Sequence, residues 1–172
     1  RRDIKEILLT KKLPKRYWNH CPAKIVRQEI GEKIWNDYKK VSIIRDPWDR
    51  LISSYFYATR IEKNPTDIEK WLLRNPGALT QNLPIYTIPP ELQSVVDAMI
   101  IYENFEETIQ ALEKEIKSLS GLWETFMGIK AKSNFRDPQQ TKNKVFDDFP
   151  NLAMIVAEFS PIEIQDFGYR FT

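Results

Sequence analysis

The fold is decided by one stretch of the sequence, Lys40-Val41-Ser42-Ile43-Ile44-Arg45-Asp46-Pro47-Trp48-Asp49-Arg50-Leu51-Ile52-Ser53-Ser54-Tyr55. It opens with a short apolar, β-branched run, which predicts a buried strand over residues 40–44. Asp46 then suits a helix N-cap, and Pro47 suits the first helical position. Asp49 follows the cap by three residues, as the acidic residue of a capping box does. We therefore expect a helix from Pro47 to about Arg60.

The junction between this strand and this helix has the properties of an anion-binding site. Unpaired backbone N–H groups and the positive end of the helix dipole face it. Arg45 adds a fixed positive charge and a planar fork of donors that suits a phosphate. Ser53 lies eight residues after Arg45, in the second turn of the helix. One phosphate is therefore expected to contact the guanidinium and the hydroxyl together.

The segment from Arg45 to Tyr55 resembles the 3′-phosphate-binding signature of sulfotransferases, in which Arg-Asn/Asp-Pro is followed by Arg and then Ser at the same spacing. Other blocks resemble carbohydrate-type and bacterial members of that family in the same order. These blocks are His20-Cys21-Pro22-Ala23, Ile30-Gly31-Glu32 with Trp35 and Tyr38, Ile101-Tyr102-Glu103-Asn104-Phe105, and Ile164 to Phe171. The resemblance covers most of the chain. It implies an enzyme that moves a sulfuryl group from 3′-phosphoadenosine-5′-phosphosulfate to a hydroxyl of a carbohydrate or other small acceptor, without a metal.

The resemblance also implies roles for four residues. Arg45 and Ser53 would bind the 3′-phosphate of the nucleotide. His20, the only histidine, occupies the loop position of the family's catalytic base, and an imidazole titrates near neutrality. Tyr102 matches a position whose aromatic ring lies near the adenine. The alternatives are an ordinary surface histidine at position 20 and a core aromatic residue at the end of a strand at position 102.

Two further groups of side chains are candidates for supporting roles at this site. Glu29 or Glu32 would serve as the base if the histidine points away from the acceptor. Arg136, with Lys132 and Ser133 beside it, would cover the 3′-phosphate, as residues of a basic loop do in relatives. A solvated charge is the favoured alternative for Arg136.

The remaining members of the motifs are expected to be structural. Asp49 and Arg50 belong to the signature and would stabilise the start of the helix or the neighbouring loop. Trp18, Trp35 and Trp48 are candidates for stacking on a sugar ring, with burial in the core as the favoured alternative.

The rest of the chain alternates between strand and helix signals. Helices are expected at residues 1–9, 22–37, 151–159 and 160–168. Two more are expected, one that starts at the capping box 66–69 and ends before Pro76, and one that follows Asn104. A second strand is expected at 98–102. Residues 76–90 are expected to form an irregular loop that covers the substrate, and residues 128–150 a long loop. In the helix before Asp37, Val26, Ile30 and Ile34 would share one face. This order predicts an α/β fold with a parallel sheet, and the resemblance implies a P-loop-NTPase-like sheet flanked by helices in a single domain.

One element of the family is missing, the Gly-rich loop that binds the 5′-phosphosulfate. None of the five glycines lies in a Lys-x-Gly-x-Ser/Thr context or a P-loop pattern. That strand, loop and helix come first in the fold and the sequence has no initial Met, so we expect an N-terminal segment to have been removed. A degenerate, non-catalytic relative is the alternative. If the sequence were complete, nucleotide binding would be weak and transfer negligible.

Composition narrows the class of protein. The chain has 172 residues, 42% of them hydrophobic, which supports one domain with a proper core. No apolar stretch approaches the roughly 20 residues of a membrane helix. The single cysteine excludes an internal disulfide, and no glycosylation sequon occurs, which favours a cytoplasmic or bacterial-type protein. Nothing in the sequence indicates the oligomeric state.

The charge is unevenly distributed. Residues 1–60 carry 15 Lys and Arg against 7 Asp and Glu, whereas the remainder carries 11 against 17. A basic first third would attract an anionic nucleotide, although a solvated basic surface is the alternative. The absence of a dense Lys/Arg stripe and a pI near 8.6 disfavour a nucleic-acid binder. A non-catalytic module that binds a nucleotide or a protein remains the second hypothesis after the enzyme.

Overall fold

The computed structural model describes residues 20–62, 66–129 and 141–171. The expected helix at 1–9 lies outside these residues, as do Trp18, Lys132, Ser133 and Arg136. None of the helices in these three ranges has both the length and the apolar character needed to cross a lipid bilayer.

In these ranges the chain forms nine α-helices and two strands. They are α1 (Ala23–Asp37), β1 (Val41–Ile44), α2 (Pro47–Thr59), α3 (Ile68–Arg74), α4 (Leu83–Tyr86), β2 (Ala98–Ile101), α5 (Phe105–Glu115), α6 (Leu122–Met127), α7 (Lys142–Asp148), α8 (Pro150–Phe159) and α9 (Pro161–Phe167). Short 3₁₀ turns occupy Pro76–Leu79, Tyr102–Asn104 and Lys117–Leu119. β1 and β2 pair in a small parallel sheet. The predicted mixed α/β class is confirmed, and helices predominate.

The strand β1 is buried on one face only. Ser42 and Ile44 are buried, whereas Val41 and Ile43 are exposed. Side chains alternate between the two faces of a strand, so a strand covered on one face buries every second residue. The expectation of a fully buried strand is therefore wrong for half of its side chains.

Helix α1 is interrupted at Gly31, which has φ 79° and ψ 159°. This backbone conformation is open to glycine and costly for residues with a Cβ atom. The break shifts the register of the second half, so Ile34 is exposed and Trp35 is buried instead. The expected common face of Val26, Ile30 and Ile34 is wrong for this reason.

Two other regions differ from the sequence-based prediction. The N-cap of α3 is Asp67, whose carboxylate accepts from the backbone N–H of Lys70, so the helix begins one residue later than a Thr66 cap implies. The expected loops at 76–90 and 128–150 contain α4 and α7, respectively. Both are short helices, and such helices depend on tertiary packing more than on local propensity.

The chain divides into two compact units. The first unit comprises, among the described residues, 20–42 and 81–98. In it α1 packs against α4, with Trp35 and Tyr86 buried. The backbone oxygen of Lys40 accepts from the N–H groups of Asp97 at 2.8 Å and Ala98 at 3.2 Å. The Lys40 N–H in turn donates to Asp97 Oδ2 at 2.7 Å. These bonds fix residues 40 and 97–98 beside each other.

The second unit comprises residues 43–80 and 99–171 within the described ranges, and its core surrounds α2. This core contains Trp48, Leu51, Ile52, Ile68, Trp71, Leu72, Ala78, Leu79, Val145, Phe146, Leu152 and Val156. Helices α7 and α8 and the turn at Pro76–Leu79 pack against α2. The apolar face of α2 is thereby covered, and the start of the helix is held in place.

Candidate functional site

The site is built around Asp46, which caps the N-terminus of α2. Its Oδ1 atom accepts from the backbone N–H groups of Trp48 at 2.8 Å and Asp49 at 3.1 Å. Its Oδ2 atom forms an ion pair with Lys142 Nζ at 3.2 Å. Its own backbone N–H donates to Glu103 Oε1 at 2.7 Å. The predicted N-cap is confirmed, and Glu103 and Lys142 tie the junction of β1 and α2 to two distant parts of this unit.

Glu103 takes the role that a capping box assigns to the acidic residue after the cap. The capping-box spacing predicts that Asp49 accepts from the N–H of Asp46, but Glu103, from the turn after β2, does so instead. The second oxygen of Glu103 accepts from the Tyr169 hydroxyl at 3.0 Å. Burial, with the adjacent Glu103 carboxylate, raises the pKa of the Tyr169 phenol. The hydroxyl therefore keeps its proton and remains a donor to Glu103.

The Arg45 guanidinium lies over the first two turns of α2. Its Nε atom donates to Asp49 Oδ2 at 2.7 Å, and Nη2 donates to the same oxygen. Its Nη1 atom donates to Ser53 Oγ at 3.1 Å. The Tyr102 ring centroid is 4.2 Å from the guanidinium carbon, within the range of a cation–π contact. The structure thus brings together Arg45, Ser53 and Tyr102, three of the four residues singled out from the sequence.

The ion pair between the Asp49 carboxylate and Arg45 differs from the expected site. The sequence predicts that Asp49 stabilises the start of the helix or the neighbouring loop, but its side chain binds the guanidinium. The pair is not sealed from solvent, since the two side chains are 24% and 22% exposed. Asp49 accepts at Nε and Nη2 with a single oxygen, whereas Nη1 is directed to Ser53.

Tyr102 begins the 3₁₀ turn that follows β2 and is 48% exposed. The alternative of a core aromatic residue is therefore wrong. Its ring also contacts Phe105, with centroids 6.0 Å apart. Contact of this ring with an adenine stays a prediction.

His20 lies in the first unit, whereas Arg45, Ser53 and Tyr102 lie in the second. It is exposed and has a left-handed backbone with φ 63°. Its role as a base stays a prediction. Among the alternatives, Glu32 accepts from Nε and Nη2 of Arg27 at 2.8 Å each. This hydrogen bonding lowers the pKa of Glu32, which makes it a weaker base.

The other candidates are structural. Arg50 is buried, with Nη1 at 2.5 Å from Glu163 Oε1 and Nη2 donating to the Leu79 carbonyl. Trp35 and Trp48 are buried, which confirms the prediction of core positions for both. No cluster of three or more His, Cys, Asp or Glu side chains with the geometry of a metal site occurs in the three described ranges.

Three residues of the site make contacts that no local sequence pattern predicts. Glu103, Lys142 and Tyr169 come from positions far from Asp46 in the chain, and only the tertiary fold brings them there. Asp49 is different, because it follows Arg45 by only four residues, so an ion pair between the two was a local possibility in the sequence.

One comparison with known proteins identifies a family for this chain. A family model described as "Sulfotransferase family" matches residues 11–154. A curated protein of Archaeoglobus fulgidus, described as an uncharacterized protein, is 32% identical over 97 residues, which cover 55% of this chain and 81% of that protein. No solved structure matches the chain.

Proposed function

Because this chain belongs to the sulfotransferase family, we propose that it transfers a sulfuryl group from 3′-phosphoadenosine-5′-phosphosulfate to a hydroxyl of a carbohydrate or other small acceptor. Family membership alone indicates a transferase of sulfotransferase type. The donor is the more specific part of the proposal, and its main support is the contact between the Arg45 guanidinium and Ser53 Oγ beside the N-terminus of α2.

The geometry at Arg45 suits a terminal phosphate. A guanidinium N–H and a hydroxyl 3.1 Å apart can both donate to one phosphate, since the Ser53 hydroxyl keeps a proton of its own. The N-terminus of α2 adds a favourable field for an anion. In this arrangement the 3′-phosphate lies at Nη1 and Ser53, and the adenine lies on the side of Tyr102.

The reaction needs a proton acceptor, and we assign that role to His20. The acceptor oxygen attacks sulfur, the bond between sulfur and the 5′-phosphate oxygen breaks, and the hydroxyl proton moves to the imidazole. 3′-Phosphoadenosine-5′-phosphate leaves as the second product. A positioned base contributes roughly 10²- to 10⁴-fold to such a step.

The proposal extends to the fold. Parallel pairing of β1 and β2, each leading into a helix, supports placing both strands in the P-loop-like sheet of the family. The same strand pairing supports our proposal that the whole chain is one sulfotransferase-like domain.

Calorimetric titration with 3′-phosphoadenosine-5′-phosphate tests the phosphate site. Arg45→Ala is expected to weaken binding by about 10- to 100-fold, since a hydrogen bond from a charged donor is lost. Ser53→Ala is expected to weaken it by about 3- to 10-fold, because its donor is neutral. Both variants should bind adenosine 5′-monophosphate like the wild type, because that nucleotide has no 3′-phosphate.

The exposed Arg74 at the end of α3 offers a control variant that removes one positive charge away from the site. Arg74→Ala should bind 3′-phosphoadenosine-5′-phosphate like the wild type. If Arg45→Ala and Ser53→Ala also bind it unchanged, the site assignment is wrong.

Transfer of radiolabelled sulfate to a panel of acceptors tests the reaction itself. Nucleotide binding without transfer to any acceptor would favour the non-catalytic module.

A further inference from the structure

Arg45 is held on three sides by side chains of the same unit. The Asp49 carboxylate accepts at Nε and Nη2, Ser53 accepts at Nη1, and the Tyr102 ring covers one face at 4.2 Å. An arginine side chain carries about 2 kcal/mol of rotamer entropy when it is free. Side chains that are already fixed before a ligand arrives lose less of this entropy on binding.

Asp49 is the strongest of these three constraints. It is the charged partner, and charge-assisted hydrogen bonds are about twice as strong as neutral ones. It lies in the first turn of α2, where its backbone N–H is bound by the capping carboxylate of Asp46 at 3.1 Å. The helix therefore fixes the carboxylate, and the carboxylate fixes the more flexible guanidinium.

We propose that Asp49 is a positioning residue of the 3′-phosphate site, which holds the Arg45 guanidinium so that Nη1 and the Ser53 hydroxyl face the same phosphate. This inference rests on the proposed function. Asp49 acts through Arg45 and makes no contact with the nucleotide. It binds nitrogens other than the one directed to Ser53, so a phosphate that reaches Nη1 does not have to displace the carboxylate.

The carboxylate also has an opposing effect, since it repels an incoming anion. Both members of the pair are about one quarter exposed, and solvent weakens the repulsion. The orientation of the guanidinium is a short-range geometric effect that solvent does not screen. We therefore expect positioning to exceed repulsion.

Two variants of Asp49 separate the two effects. Asp49→Ala removes the acceptor and is expected to weaken binding of 3′-phosphoadenosine-5′-phosphate about tenfold, the cost of ordering one long side chain. Asp49→Asn keeps an acceptor oxygen without the charge and should bind within about twofold of the wild type. Neither variant should change the affinity for adenosine 5′-monophosphate. Thermal unfolding of each variant shows that the fold is retained, and Asp49→Ser, whose hydroxyl is too short to reach Arg45, replaces alanine if that variant is unstable.

A double-mutant cycle distinguishes positioning of Arg45 from a general loss of structure. It compares the effect of Asp49→Ala on nucleotide affinity in the presence and in the absence of Arg45. Because Asp49 acts through the guanidinium, Asp49→Ala should weaken binding no further when Arg45→Ala is already present. Tighter binding by both Asp49→Ala and Asp49→Asn would overturn the proposal and make Asp49 a competing counter-ion. Unchanged binding by Asp49→Ala, with strong weakening by Arg45→Ala, would overturn it and leave the phosphate site intact. An Arg45→Ala variant that binds normally would contradict the proposed function itself.

Discussion

Replacing Glu163 by alanine is expected to lower the free energy of unfolding by about 3–5 kcal/mol, since it leaves a buried charge without its partner. Glu163 Oε1 lies 2.5 Å from Arg50 Nη1, and the two side chains are 3% and 10% exposed. The Leu79 carbonyl is the other acceptor of the guanidinium, and a single neutral oxygen does not compensate a full charge. Chemical denaturation followed by circular dichroism measures the effect.

Two controls decide whether the loss comes from the unpaired charge. Glu32→Ala removes a carboxylate from an exposed ion pair with Arg27 and should leave the unfolding midpoint unchanged. Arg50→Met combined with Glu163→Leu removes both buried charges and should recover most of the stability. A Glu163→Ala variant as stable as Glu32→Ala would show that the buried pair contributes nothing measurable to the fold.

Replacing His20 by alanine is expected to reduce the rate of sulfate transfer by about 10²- to 10⁴-fold, the usual contribution of a general base. Without the imidazole, the attacking hydroxyl has to release its proton to water. Affinity for 3′-phosphoadenosine-5′-phosphate should stay at the wild-type value, because the nucleotide contacts are assigned to Arg45, Ser53 and Tyr102. Single-turnover transfer with radiolabelled donor measures the rate.

Glu32→Ala is the matched control for this experiment as well. The hydrogen bond from Arg27 lowers the pKa of the Glu32 carboxyl, which makes it a weak base. We therefore expect the loss of this carboxyl to leave the transfer rate unchanged. Added imidazole should restore part of the rate of His20→Ala, as it replaces the missing base. A His20→Ala variant as fast as the wild type would exclude the histidine and direct attention to Glu29.

The junction at α2 was predictable because its signals are local. The N-cap at Asp46, the proline after it and the start of the helix follow from residues within one turn of each other. The sequence places Ser53 in the second turn of α2, eight residues after Arg45, and the structure has the two side chains in contact. The predicted strands and helices near 41–44, 98–101 and 150–159 also match closely.

Contacts between distant positions were not predictable in this way. Nothing near Glu103 in the sequence shows that it receives the N–H of Asp46, and nothing near Glu163 shows that it pairs with Arg50. Helix α7 lies in a segment predicted to be a loop, because residues 128–150 are polar and interrupted by proline. Val145 and Phe146 of this helix are nevertheless buried in the core. Tertiary packing decides these features, and a single sequence carries little of that information.

The four-residue steps from position 45 to 49 and from 49 to 53 make the chemistry of this junction sensitive to chain length. An α-helix turns by about 100° per residue, so deleting or inserting one residue between positions 49 and 53 would carry the serine around the axis and out of reach of the guanidinium. Exposed positions on the far side of the helix, by contrast, are free to drift in identity. Over evolutionary time, we expect this segment to vary by exchange of residues and almost never by gain or loss of one.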